Sequence, residues 1–155
     1  MKVDGNVTMN GPQQMVYDTL NDPEVLRHCL PGCEKFDEIA PGRYEAILKA
    51  GVAGIKGTFT GAVTLSDTVS PSSYTLTVEG TFSGGFVKGV GKMVLTPDGD
   101  AKTKIAYNGD GQIGGPLASV GQRLMAPAAR MLINQFFKCM DGKLVNAEGG
   151  TRSAE

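Results

Sequence analysis

Six predicted β-strands follow one another between Cys33 and about Ile113, and no helical period interrupts them. The breaks between these strands fall at Pro41-Gly42, Ala50-Gly51, Ser70-Pro71, Gly84-Gly85 and Pro97-Asp98-Gly99. Strands joined by such short turns pair antiparallel, because parallel neighbours need long crossover connections. The chain is therefore expected to form an antiparallel meander.

One further strand and three helices complete the predicted element order. Residues 2–10 alternate between apolar and polar side chains, which predicts a strand with one buried face. Two short helices are predicted between residues 12 and 28, and one long helix from Gly114-Gly115-Pro116 to about Leu144, with a kink at Pro127. This order predicts an α+β fold: a curved seven-stranded antiparallel sheet wrapped around a long C-terminal helix, with two short helices after strand 1.

Glycine is expected at many positions where a core side chain belongs. The chain has 22 glycines among 155 residues, whereas about 7% is average. Charged residues mark the outer face of each strand, and the opposite parity points inward. The inward glycines are Gly5, Gly57, Gly61, Gly80, Gly89, Gly91, Gly109 and Gly111. Two interpretations stay open: the glycines allow the sheet to bend and the helix to approach closely, or they leave an apolar cavity.

The cavity interpretation names a set of candidate ligand-binding residues on the inward strand positions, the second short helix and the long helix. They are Leu26, Tyr44, Leu48, Phe59, Val63, Val78, Phe82, Met93, Tyr107, Val120, Leu124, Ala128 and Met131. Methionines suit a wall that adapts to different apolar ligands, although methionine in a helix is also ordinary core. Tyr44 or Tyr107 is available to orient a carbonyl group of the ligand.

Motifs for nucleotide, metal or nucleophilic chemistry fail on context. Gly109 to Gly114 reads GxGxxG, but a dinucleotide site needs a following strand that bears an acid, and here the chain ends after its helix. His28, Cys29 and Cys33 offer too few ligands to close a structural zinc site. No acid–base pair can be nominated, so we expect no catalytic residues, no metal and no cofactor.

Charge and cysteine usage narrow the partners. With 15 basic and 16 acidic residues, the chain offers no basic field for nucleic acid. Three cysteines at spacings that match no disulfide framework predict free thiols and a reduced, cytoplasmic location. Residues 1–145 are expected to form one domain, and residues 146–155 a polar, disordered tail.

With this element order, the chain resembles the helix-grip superfamily called SRPBCC or START-like, whose members bind large apolar ligands between the sheet and the C-terminal helix. Within it, the chain is similar to the carbon monoxide dehydrogenase subunit family CoxG. The motifs that carry the similarity are Leu30-Pro31-Gly32-Cys33-Glu34, Gly42-Arg43-Tyr44-Glu45, Ile55-Lys56-Gly57 with Phe59 and Gly61, the stretch Leu117 to Leu124, and Phe136-Phe137.

The resemblance implies an accessory protein rather than a catalytic component. It implies a quinone or lipid ligand, a molybdenum hydroxylase such as carbon monoxide dehydrogenase as partner, and peripheral contact with the inner face of the membrane. Two alternatives stay open: a cyclase or dehydratase of the same fold, which would need polar groups in the cavity, and an assembly factor with a packed interior that binds no small ligand.

Overall fold

The computed structural model describes the backbone of residues 1–52 and 55–153, and their side chains except those of 50, 52, 55, 117, 120, 122 and 146–153. The elements in chain order are β1 (Lys2–Met9), α1 (Gln13–Leu20), α2 (Pro23–Cys29), β2 (Cys33–Ala40), β3 (Arg43–Val52), β4 (Ile55–Val69), β5 (Ser73–Phe82), β6 (Gly85–Asp98), β7 (Lys102–Gly114), a 3-10 segment (Gly115–Val120) and α3 (Gln122–Ser153). The predicted element order is confirmed.

The seven strands form one antiparallel sheet in the order β1-β7-β6-β5-β4-β3-β2. Each strand from β2 to β7 pairs with its neighbour in sequence, as short turns require, and β1 joins the edge beside β7. One turn differs from its predicted place, because β3 continues through Ala50-Gly51 to Val52. The α+β fold with a seven-stranded antiparallel sheet is confirmed.

The two faces of the sheet follow the predicted alternation. Inward residues such as Met93, Leu95 and Ile105 are buried, whereas Lys88 and Lys104 on the same strands are exposed. Ile55, also predicted inward, lies outside the described side chains. Since lysine is almost never fully buried unless paired, the charged residues fix the register of each strand against the core.

The C-terminal half of α3 is fixed to the start of the fold by polar and covalent contacts. The backbone N–H and side-chain amide of Asn10 donate to the two carboxylate oxygens of Asp141, each at 2.8 Å. A disulfide joins Cys29 at the end of α2 to Cys139 on α3. The predicted free thiols were therefore wrong for this pair, and Cys33 alone is free. A separation of 110 residues gives no local sequence signal for such a pairing.

The single predicted C-terminal helix is divided at Gly121. This glycine has a φ of +81°, in the left-handed region, which ends the 3-10 segment before α3 begins at Gln122. The helical backbone continues to Ser153 rather than ending near Leu144. The predicted disorder of 146–155 falls on residues whose side chains, or for 154–155 whose backbone as well, lie outside the described part of the chain, and it stays a prediction.

Candidate functional site

One half of the concave face, over β2 to β5, is filled by aromatic side chains. Phe36 and Tyr44 stack at a centroid distance of 4.7 Å. A Cβ added to Gly57 would lie 3.1 Å from the ring of Phe82. A Cβ at Gly61 would collide with the carbonyl oxygen of Glu79 on the paired strand. In this half the glycines make room for rings and for a close approach of two strands.

The other half, over β6 and β7, contains four glycines that leave open space. Gly89 pairs with Gly111, and Gly91 pairs with Gly109. A Cβ added to any of the four would have its nearest neighbours between 3.5 and 4.0 Å away, which is ordinary van der Waals contact. All four point inward and are half-buried. We call these four residues the glycine floor.

Half-buried apolar side chains surround the glycine floor. Val87 precedes it on β6, Ile113 follows it on β7, and Leu76 and Val78 lie on the adjacent strand β5. Leu76 is paired with Gly91, and Val78 is paired with Gly89. Partly exposed apolar side chains beside open backbone form a surface on which a flat apolar molecule could lie.

An open cavity of about 480 Å³ lies at one end of the glycine floor. Gly111 belongs to both, and the cavity is otherwise lined by Met1, Phe86, Gln112, Ile113, Ala118, Gly121 and Met125. Met1 is held there because its ammonium group donates to the carbonyl oxygen of Gly111 at 2.8 Å. The volume lies within the range of small-molecule sites, about 300 to 1,000 Å³. This opening between β7 and the first turn of α3 is the candidate mouth of the site.

The structure brings most of the predicted site residues to the concave face. Six are buried there or against it: Leu26, Tyr44, Phe59, Val63, Phe82 and Met93. Four are half-buried: Leu48, Val78, Tyr107 and Ala128. The side chain of Val120 lies outside the described part of the chain.

Leu124 and Met131 were wrongly placed by the sequence prediction. They are 58% and 52% exposed on the outer side of α3, whereas Met125 and Met140 are buried. The predicted stripe extended one helical phase from the 3-10 segment into α3, and the break at Gly121 changes that phase. Met125, which sequence reasoning did not choose, lines the mouth instead.

Two concave-face tyrosines are enclosed by the core. The pKa of Tyr44 is raised first by burial and then by the neighbouring Glu38 carboxylate. Burial also raises the pKa of Tyr74, whose ring meets Tyr17 edge to face at 5.8 Å. Within the described part of the chain, no three His, Cys, Asp or Glu side chains form a group that could hold a metal ion.

The outer side of α3 combines apolar and basic residues. Leu124 and Met131 are exposed there, and so are Arg123, Arg130 and Lys138. A shallow depression runs along this side, from Pro127 to Lys138. As far as the chain is described, no helix has a stretch both long and apolar enough to cross a membrane.

A family model described as CoxG, of carbon monoxide dehydrogenase, matches residues 5–145. The match covers every strand except the first residues of β1, and it includes the glycine floor and the start of α3. None of the curated proteins that were searched matches the chain significantly.

Several solved structures share the architecture. A conserved protein from Geobacillus kaustophilus is 31% identical with a TM-score of 0.91, covering 95% of this chain and 97% of that chain. A START superfamily protein from Mycobacterium smegmatis is 15% identical, with a TM-score of 0.70 and coverages of 92% and 95%. The Zhui aromatase/cyclase from Streptomyces sp. R1128 is 15% identical, with a TM-score of 0.67 and coverages of 94% and 94%. The last two similarities establish the START-like fold and nothing about activity.

Proposed function

Since the chain belongs to the carbon monoxide dehydrogenase subunit family CoxG, we propose that it is an accessory protein that binds a quinone or a similar apolar lipid on the concave face. The observation that carries this proposal is the glycine floor, where four inward positions leave ordinary contact space rather than a filled core. The ligand ring would lie on Gly89, Gly91, Gly109 and Gly111, and its tail would leave through the mouth beside Met125.

The affinity of such a site would come from apolar burial. Removing roughly 200 Å² of ligand surface from water at about 25 cal/mol per Å² contributes about 5 kcal/mol before the cost of association. Leu76, Val78, Val87 and Ile113 supply the apolar walls around the glycine floor. No charged anchor is required for a ligand of this kind.

Binding is preferred to catalysis because of the side chains on the concave face. Among the described inward strand positions that are buried or half-buried, the polar side chains are those of Tyr44, Tyr74, Thr103 and Tyr107. Thr103 is fully buried and donates to the carbonyl oxygen of Gly11 at 2.8 Å. A cyclase or dehydratase would need an acid, a base or an oxyanion donor aimed at its substrate, and these positions favour an apolar guest.

We propose a molybdenum hydroxylase such as carbon monoxide dehydrogenase as the protein partner, with the accessory protein linking that enzyme to membrane quinone. The outer side of α3 suits peripheral contact with an anionic membrane, because exposed Leu124 and Met131 are flanked by Arg123, Arg130 and Lys138. This arrangement would present the nearby mouth to the lipid from which the ligand is taken.

A cytoplasmic position at the inner face of the membrane is part of the same proposal. The Cys29–Cys139 disulfide weighs against it, because disulfides persist in oxidising compartments and are rare in the reduced cytosol. Alkylation of thiols in intact host cells, followed by mass spectrometry, decides the matter. Modified Cys29 supports the cytoplasm, and an intact disulfide contradicts it.

Titration with 2-methyl-1,4-naphthoquinone tests the binding function directly. The chain contains four tyrosines and no tryptophan, so quenching of tyrosine fluorescence reports a quinone on the concave face. We expect saturable quenching, and we expect protein purified from its own host to yield lipid on solvent extraction. Absence of both results would retire the binding function and leave the assembly factor.

Two valine variants show whether the quinone occupies the glycine floor. Gly91→Val places a branched side chain on the floor, where it should abolish the quenching. Gly51→Val is the matched control, because Gly51 is an exposed strand glycine at which an added Cβ meets nothing within 4 Å. Equal quenching by the two variants would place the quinone elsewhere.

A further inference from the structure

Three of the four hydroxyl-bearing side chains on the concave face are occupied or enclosed. Thr103 is bonded to Gly11, and Tyr44 is stacked on Phe36 with its hydroxyl beside Glu38. Tyr74 is 3% exposed and lies behind Tyr17. None of these three can turn toward the glycine floor without leaving its packing partner.

Tyr107 differs from the other three. It lies on β7 two residues before Gly109, it is half-buried, and its hydroxyl has no hydrogen-bond partner among the described residues. Its phenol extends across Gly5 on β1, where an added Cβ would lie 2.5 Å from the hydroxyl oxygen. Gly5 therefore provides the room that this side chain occupies.

The position of Tyr107 relative to the glycine floor is set by strand geometry. Consecutive inward residues on one strand are about 7 Å apart, which is close to the length of two fused six-membered rings. Its ring contacts Phe137 of α3 at a centroid distance of 5.6 Å, so the phenol is confined between the sheet and the helix. A ring lying on Gly91 and Gly109 would bring an edge oxygen toward the hydroxyl.

We infer that Tyr107 is the specificity-determining residue of the proposed site, whose hydroxyl donates a hydrogen bond to a carbonyl oxygen on the ligand ring. This inference rests on the proposed function and narrows the ligand class: planar apolar rings that carry an acceptor oxygen bind more tightly than hydrocarbons of the same shape. A ligand without the oxygen would leave the hydroxyl unpaired under the bound ring, which costs affinity.

Two probes of nearly equal shape separate hydrogen bonding from packing. We would measure the Kd of 2-methyl-1,4-naphthoquinone and of 2-methylnaphthalene by calorimetry with the unmodified protein and with Tyr107→Phe. We expect Tyr107→Phe to raise the Kd of the quinone by roughly three- to tenfold and to change that of the hydrocarbon by less than about twofold. Tyr44→Phe is the matched control and should change neither Kd, because that ring is stacked on Phe36.

Each remaining outcome contradicts a different statement. Equal losses for the two probes would show that Tyr107 acts only by packing, and unchanged affinity for both would show that its hydroxyl does not reach the ligand. Either result overturns the inference while the binding function stands. If the unmodified protein binds neither probe, the proposed function itself fails. Thermal melts of each variant confirm that the fold is retained.

Discussion

Substitution of Gly109 by alanine should stabilise the protein and weaken ligand binding at the same time. The added Cβ would lie 3.6 Å from the carbonyl oxygens of Val3 and Val90 and 3.8 Å from the Cα of Gly91. These are ordinary contacts, so the strand needs no adjustment. Because glycine in a strand interior costs about 0.5 to 1 kcal/mol relative to alanine, the free energy of unfolding should rise by that amount.

The same methyl group would stand between the glycine floor and a bound ring. If it removes roughly 60 Å² of apolar contact at about 25 cal/mol per Å², the loss is about 1.5 kcal/mol, or roughly tenfold in Kd. Urea unfolding measures the first effect, and tyrosine quenching by 2-methyl-1,4-naphthoquinone measures the second. Opposite signs in one variant are the expected signature, because damage to the fold would lower both stability and affinity.

Gly51→Ala is the control for this experiment. Gly51 is an exposed residue of β3, and nothing lies within 4 Å of an added Cβ. Its substitution should leave the Kd unchanged, whatever its effect on stability. The reasoning is refuted if Gly109→Ala is more stable than the unmodified protein and binds the quinone equally well, because the methyl group would then occupy space that no ligand uses.

Three further predictions concern the helices and the core. Cys29→Ser should lower the free energy of unfolding by about 2 to 5 kcal/mol, because the disulfide closes a long loop, whereas Cys33→Ser should not. Equal urea midpoints for the two variants would contradict this. Since burial raises the pKa of Tyr74, the folded state holds that proton more tightly, and stability should fall as the pH rises above about 10. Urea unfolding of Tyr74→Phe across this range should show a smaller fall, and an identical pH profile would refute the assignment. The double variant Leu124→Gln and Met131→Gln should lose sedimentation with vesicles containing anionic lipid while keeping quinone affinity, because both side chains are exposed on the outer side of α3. Unchanged sedimentation would remove this side of the helix from the membrane proposal.

The sheet could be predicted because its signals are local and repeated. Each strand carries charged residues at one parity, and each break carries proline or glycine, so the face and the pairing of a residue such as Met93 follow from a few neighbours. The phase of α3 could not be predicted in this way. It depends on the left-handed conformation of Gly121, a backbone choice that the apolar spacing around Leu124 does not reveal.

The cysteine pairing failed for a related reason. Cys29 and Cys139 meet only because α3 packs against α2, a contact between distant parts of the chain that spacing rules do not address. The tie between Asn10 and Asp141 has the same origin and was equally invisible in the sequence. Both anchor the C-terminal half of α3, which leaves the half that contains Met125 beside the mouth.

The inward glycines show why residue type alone cannot distinguish a bend from a binding surface. Gly61 faces Gly80 across β4 and β5, and Gly91 faces Gly109 across β6 and β7, so the two pairs are alike in sequence and register. At the first pair an added Cβ would strike the neighbouring backbone, whereas at the second it would meet only ordinary contacts. Glycine is thus sterically required at the first pair and not at the second. A residue that costs stability where no steric constraint demands it is best explained by a molecule that needs the space.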